Sequence, residues 1–154
     1  MPARKILEEI VYVLRTGGQW KALPKEGLAS SSAIHTYFLR GAESGFLVTL
    51  WPVGLAEYDE MEGISWKWPS IDGAIVKAAL APETVGQNPT DRKKGSRPNL
   101  LVDGRGVALS LVVSGANRSD VSQLEIVWDE IVIERPDDIE LQPCTDKGYN
   151  GDLA

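Results

Sequence analysis

Leu100-Leu101-Val102-Asp103-Gly104-Arg105-Gly106-Val107-Ala108-Leu109-Ser110-Leu111-Val112-Val113 contains two apolar runs joined by a short segment with two glycines. Apolar runs flanking a glycine-bearing turn predict a β-hairpin, because the turn needs backbone freedom where the strands need side-chain packing. A phosphate cradle does not fit the same glycines: no Gly-Lys-Ser/Thr follows them and no helix comes directly after. Downstream, Ser119 or Asp120 opens a predicted helix, with Gln123 three residues after Asp120 as in a capping box. That helix would bury Val121, Leu124, Val127, Trp128 and Ile131, and end at Arg135-Pro136. A last strand over about residues 139 to 145 would deliver Asp146 at its C-terminal end. Upstream, residues 66 to 77 alternate as a strand, with Ile71 and Ile75 on one face and Asp72, Ala74 and Val76 on the other. Asp72 would then need a hydrogen bond, a proton or a metal, since an unpaired buried charge is costly. The plainer alternative is an exposed sheet face. Residues 82 to 95 read as a polar loop.

The first third is helical in pattern. Ile6, Leu7, Ile10, Val13 and Leu14 recur at helical spacing over about residues 3 to 16, and Gly17-Gly18 supplies a stop. Trp20, Leu23 and Pro24 form a connector. A second helix is expected after Ser30-Ser31-Ser32, through Ala33, Ile34, Tyr37 and Phe38 to Gly41. Together they make a helix-turn-helix-like pair. Residues 42 to 66 read as a link in which Pro52 interrupts any helix, with a short helix over 54 to 61. His35 is the single histidine and reads as a helix-surface residue within reach of a phosphate.

The net charge of -6 argues against indiscriminate nucleic-acid binding, yet the charge is segregated. Residues 1–40 sum to +3, 41–86 to -5, 87–118 to +4 and 119–154 to -8. Two basic blocks on an acidic body are compatible with local phosphate contacts. The candidates are Arg15 and Lys21 in the first block and Arg92, Lys93, Lys94 and Arg97 in the second. Cys144 cannot form an internal disulfide and reads as a buried strand thiol. No stretch approaches the roughly 18 uninterrupted apolar residues of a membrane span, and no signal-peptide core is present, so a cytoplasmic location with no membrane partner is expected.

Several motifs stand together in one order. They are Ile10-Val11-Tyr12-Val13-Leu14-Arg15-Thr16-Gly17-Gly18-Gln19-Trp20 with Ala22-Leu23-Pro24, then Asn88-Pro89-Thr90-Asp91-Arg92, then the Leu100 to Gly106 run. Leu111-Val112-Val113-Ser114-Gly115-Ala116-Asn117-Arg118 and Asp146-Lys147-Gly148-Tyr149 complete the series. In this the chain resembles the DDE transposases of bacterial insertion sequences, in the IS-five grouping. The resemblance implies an N-terminal DNA-binding region, residues 1–62 with its linker, followed by a partial catalytic domain, residues 63–154.

The fold class so implied is α/β: a helical, helix-turn-helix-like region, then an incomplete RNase-H-like mixed sheet with a crossover helix. In that fold the first and fourth strands lie side by side and parallel, which brings two distant carboxylates together. By resemblance Asp72 and Asp146 are the first two members of a carboxylate triad that holds Mg²⁺, or Mn²⁺, for DNA cleavage and strand transfer at transposon ends. The third, a Glu in a Tyr-x2-Arg-x3-Glu-x6-Lys pattern, has no counterpart before Ala154. A C-terminally truncated chain that is inactive alone and binds metal weakly is therefore expected.

Departures from the family pattern include Gly41 for a Trp, Gly27 alone for Phe-Gly and Lys93 for a Gly. Pro98-Asn99 stands for a basic residue and a His, and Ser119 for a His. Expected partners are double-stranded DNA, as transposon ends or target, and a further copy or a full-length transposase. The alternatives are a non-catalytic DNA-binding regulator of such a transposase, or an unrelated acidic domain that binds a small ligand.

Overall fold

The structure, a computed structural model, describes residues 2–24, 29–76, 85–88, 92 and 94–145. The chain divides into two compact units, Met1–Trp51 and Pro52–Ala154.

In the first unit α1 spans Ala3–Thr16 and α2 spans Ser31–Glu43, with a 3-10 turn at Trp20–Ala22 between them. Helix α1 stops where Gly17 takes a left-handed conformation, φ 63°, which a side-chain-free residue adopts without steric cost. Helix α2 starts at Ser30, whose Oγ accepts a hydrogen bond from the Ala33 backbone N–H at 3.3 Å. The core of the unit is Ile10, Val13, Leu23 and Ile34, flanked by Ile6, Trp20, Ala29 and Phe38. Leu14 departs from the expected apolar face and is 54% exposed.

Helix α3 is continuous from Phe46 to Glu62 with Pro52 inside it. The expected interruption is thus corrected: a proline removes one backbone donor and crowds the preceding turn, but the helix propagates when packing compensates. Beyond Pro52, Leu55 is buried and Tyr58 packs against the core of the second unit. The helix ends at Gly63, φ 73°, and Asp59 Oδ1 accepts from the Ile64 backbone N–H at 2.7 Å.

The second unit is built on a mixed sheet. Its strands are β1 Ser70–Gly73, β2 Gly86–Gln87, β3 Lys94–Val102, β4 Ala108–Gly115 and β5 Cys144–Thr145, with α4 at Val121–Asp129 between β4 and β5. The expected hairpin is present: β3 and β4 pair antiparallel, with Gly106 at φ 85° in the turn. β3 also pairs antiparallel with β1, and with β2 through Lys94 and Gly95. β1 pairs parallel with β5, Ser70 opposite Cys144 and Ile71 opposite Thr145. From β4 the chain therefore passes through α4 and returns on the far side of β1. The register shifts between Leu101 and Val102, so that Leu109 and Ser110 are both fully buried. Ile64, Trp66, Ile71, Leu101, Leu109 and Val127 form the core, and Ser110 Oγ donates to the Val127 carbonyl at 2.6 Å, tying α4 to the sheet.

Several expectations for this unit are corrected. Strand β1 starts at Ser70, because Trp66 and Pro69 are buried in a turn that precedes it. Helix α4 stops at Asp129, short of Arg135-Pro136, and beyond it the Val132 N–H bonds the Leu109 carbonyl at 3.1 Å instead of continuing the helix. Of the two residues expected to open it, Ser119 does so, its Oγ accepting from the Ser122 N–H at 3.4 Å, while Asp120 makes no side-chain cap and no capping box forms with Gln123. Among the described residues the last strand is only Cys144–Thr145, although the Gln142 N–H already donates to the Lys67 carbonyl and the Cys144 N–H to the Pro69 carbonyl, each at 2.8 Å. Cys144 is exposed there and is not a buried thiol. Among the described residues no helix is long and apolar enough to cross a membrane.

Candidate functional site

The parallel pair β1–β5 is where sequence-distant residues meet. Ile71 and Thr145 are Cα partners, and they immediately precede Asp72 and Asp146 in the chain. Asp146 itself lies outside the described residues. Asp72 is exposed, opposite Leu100 on β3, and Leu100 in turn is opposite Leu111 on β4; both leucines are also solvent-accessible. Residues on the other face of the same strands, Ile71 and Leu101, are buried. Of the two readings of Asp72 the exposed sheet face is the one observed: water reaches the side chain, so its charge needs no internal partner, and among the described residues its carboxylate has no hydrogen bond or ion pair. A free carboxylate oxygen is a donor suited to a hard divalent cation. No cluster of three or more His, Cys, Asp and Glu able to hold a metal occurs among the described residues.

The six basic candidates fall in different settings. Arg15 is exposed in the last turn of α1 and Lys21 is exposed in the 3-10 turn. Arg92 is exposed, at φ 57°, and Lys94 is exposed at the start of β3. Lys93 lies outside the described residues. Arg97 is already engaged within the fold. Its Nη1 lies 2.8 Å from Asp120 Oδ1 and donates to the Arg118 carbonyl at 3.2 Å, with both charged side chains only 18% exposed. The contact to Asp120 is a charge pair that lacks hydrogen-bond alignment, and the Arg97 Nε is buried without a partner among the described residues. Withdrawing that guanidinium to a phosphate would leave a half-buried carboxylate alone.

Two constellations lay beyond the sequence reading. One is structural. Asp103, 2% exposed, accepts from the backbone N–H groups of Arg105 and Val107 through Oδ1, each at 2.8 Å, and of Ser65 through Oδ2 at 2.9 Å. Arg105 Nη1 donates to the carbonyls of Glu62 and Gly63 at 3.0 and 3.1 Å, and the Tyr58 hydroxyl holds the guanidinium pKa above its usual value. Asp at the first position of a Gly-bearing turn is the signal that could have found this clamp. The second constellation lies in the first unit, where Trp20 packs against His35 and Phe38 with ring centroids 5.0 and 5.1 Å apart. His35 is thereby half-buried on its helix, not simply a surface residue.

Residues 1–51 match the family model described as "Putative transposase of IS4/5 family (DUF4096)". The match supports a transposase of the IS4/5 kind, with DNA as its general class of partner. No curated protein and no solved structure matches the chain.

Proposed function

We propose that this polypeptide is a DDE-type insertion-sequence transposase segment: residues 1–62 contact duplex DNA, and residues 63–154 form the first part of an RNase-H-like catalytic domain. The match over residues 1–51 carries the transposition reading. The catalytic reading is supported by sheet order β4-β3-β1-β5, with β1 and β5 parallel and the other pairs antiparallel. First and returning strands side by side are what a carboxylate pair at Asp72 and Asp146 requires. The two would hold Mg²⁺ or Mn²⁺ through oxygen, and the ion would supply a Lewis acid for phosphoryl transfer. The Asp72 carboxylate, open to water and unpaired among the described residues, needs no rearrangement to bind an ion. The resemblance provides counterparts for two of the three carboxylates, Asp72 and Asp146, and duplex binding by residues 1–62 does not depend on them.

Mn²⁺ added to isotopically labelled protein tests this. Paramagnetic broadening should concentrate on the amides of Ile71, Gly73 and Thr145 and be lost in Asp72→Asn and in Asp146→Asn. Broadening that persists in both variants would refute the carboxylate assignment. Absence of duplex binding at low salt would refute the DNA reading.

A further inference from the structure

In the first unit, an open groove of about 420 Å³ is lined by Gln19, Trp20, Lys21, Ser31, Ser32 and His35. Among the described residues no carboxylate lines it. The Lys21 ammonium, the Gln19 amide, the two serine hydroxyls and the His35 imidazole make no side-chain hydrogen bond or ion pair among the described residues. Five side chains able to donate hydrogen bonds thus converge on one concavity and are left to solvent. A ligand that only accepts hydrogen bonds and carries negative charge would satisfy all of them at once.

The groove is also fixed in shape. Trp20 is held between His35 and Phe38, and Ser30 caps α2 directly before Ser31 and Ser32. The indole offers an apolar wall beside the polar groups, as a sugar-phosphate chain requires and a free anion does not. The surrounding residues 1–40 carry +3, so the local field favours an anion although the whole chain is acidic.

We infer that this groove seats one backbone phosphodiester of duplex DNA, with Lys21 as the charge partner, Ser31, Ser32 and His35 as hydrogen-bond donors, and Trp20 against the deoxyribose. The inference deepens the duplex-binding reading and rests on it. It gives the first basic block a specific contact geometry. Because a phosphate contact carries no base information, the groove would set the register of the unit on the duplex, not its sequence preference.

The test measures binding of the whole chain to a fluorescent duplex by anisotropy across a salt series. Each phosphate neutralised contributes about 0.9 to the slope of log K against log salt, so Lys21→Gln should flatten the slope by about that amount. Ser31→Ala with Ser32→Ala should weaken binding several-fold with little change of slope, because neutral donors release no counterions. Arg4→Gln, an exposed residue paired with Glu8 outside the groove, should change neither quantity. Amide resonances of Ser31 and Ser32 and the His35 ring should shift on adding duplex. Retained duplex binding with an unchanged slope in Lys21→Gln and no shifts at these residues would overturn the groove while leaving the duplex reading standing. No duplex binding by the unaltered chain would overturn both. Shifts caused by inorganic phosphate but not by duplex would also overturn the inference, leaving a small-anion pocket only.

Discussion

The two units are held together by different chemistry. In the first, the core is aliphatic and aromatic, Ile10, Val13, Leu23 and Ile34 beside Trp20 and Phe38, and none of its described residues is a buried polar side chain. In the second, Asn88, Ser96, Asn99, Asp103, Ser110 and Gln123 are buried alongside the apolar core. Helices satisfy their own backbone and need side chains only at their ends, as Ser30 provides for α2. A sheet leaves turns and strand junctions to be satisfied from elsewhere, and Asp103 and Ser110 do this from inside. One unit is therefore specified by local periodicity, the other by polar groups far apart in sequence.

That contrast can be broken by truncating each kind of support. Leu109→Ala, at a fully buried site, should destabilise the second unit by about 2–5 kcal/mol. Urea unfolding followed residue by residue should show the sheet melting first while amides of α1 and α2 keep their midpoint. A common shift of both would mean the units unfold as one. Pro52→Ala restores a backbone donor inside α3 and should stabilise that helix by up to about 3 kcal/mol, read as slower amide exchange around residues 52–56. Unchanged or faster exchange would show that the proline is not in a continuous helix. Asp103→Asn should cost about 1–3 kcal/mol, since one carboxylate oxygen becomes an amide that cannot accept from the turn. A loss as small as that of a surface substitution would remove the clamp from the account of the second unit. Ser30→Ala should be mildest, about 1 kcal/mol and confined to α2, measured as a shift in the first unit's midpoint.

Helix α1 was legible because amphipathic spacing and a following glycine are both local signals, and the residues expected, 3 to 16, are those observed. The β3–β4 hairpin was legible for the same reason: two apolar runs and their turn lie within a few residues of one another. α3 was misread at Pro52, since a propensity rule contains nothing about the packing of Leu55 and Tyr58 that carries the helix past it. The end of α4 was misread because the competing bond, Val132 to the Leu109 carbonyl, comes from another strand.

At the candidate site, alternation in the sequence put Asp72 opposite in face to Ile71, and that separation holds: Ile71 is 2% exposed and Asp72 is open to water. Which face would be covered could not be read, because both carry apolar residues and only the position of α4 over β3 and β4 decides it. Likewise, Arg97 looked like any other cation in a basic block until the fold set it against Asp120. The sequence by itself determined the helices, the hairpin and the list of chemically capable side chains, all of which depend on neighbours along the chain. Only the tertiary structure decided which of those side chains are free to act, because burial, ion pairing and the parallel meeting of β1 with β5 depend on residues that the chain brings together from far apart.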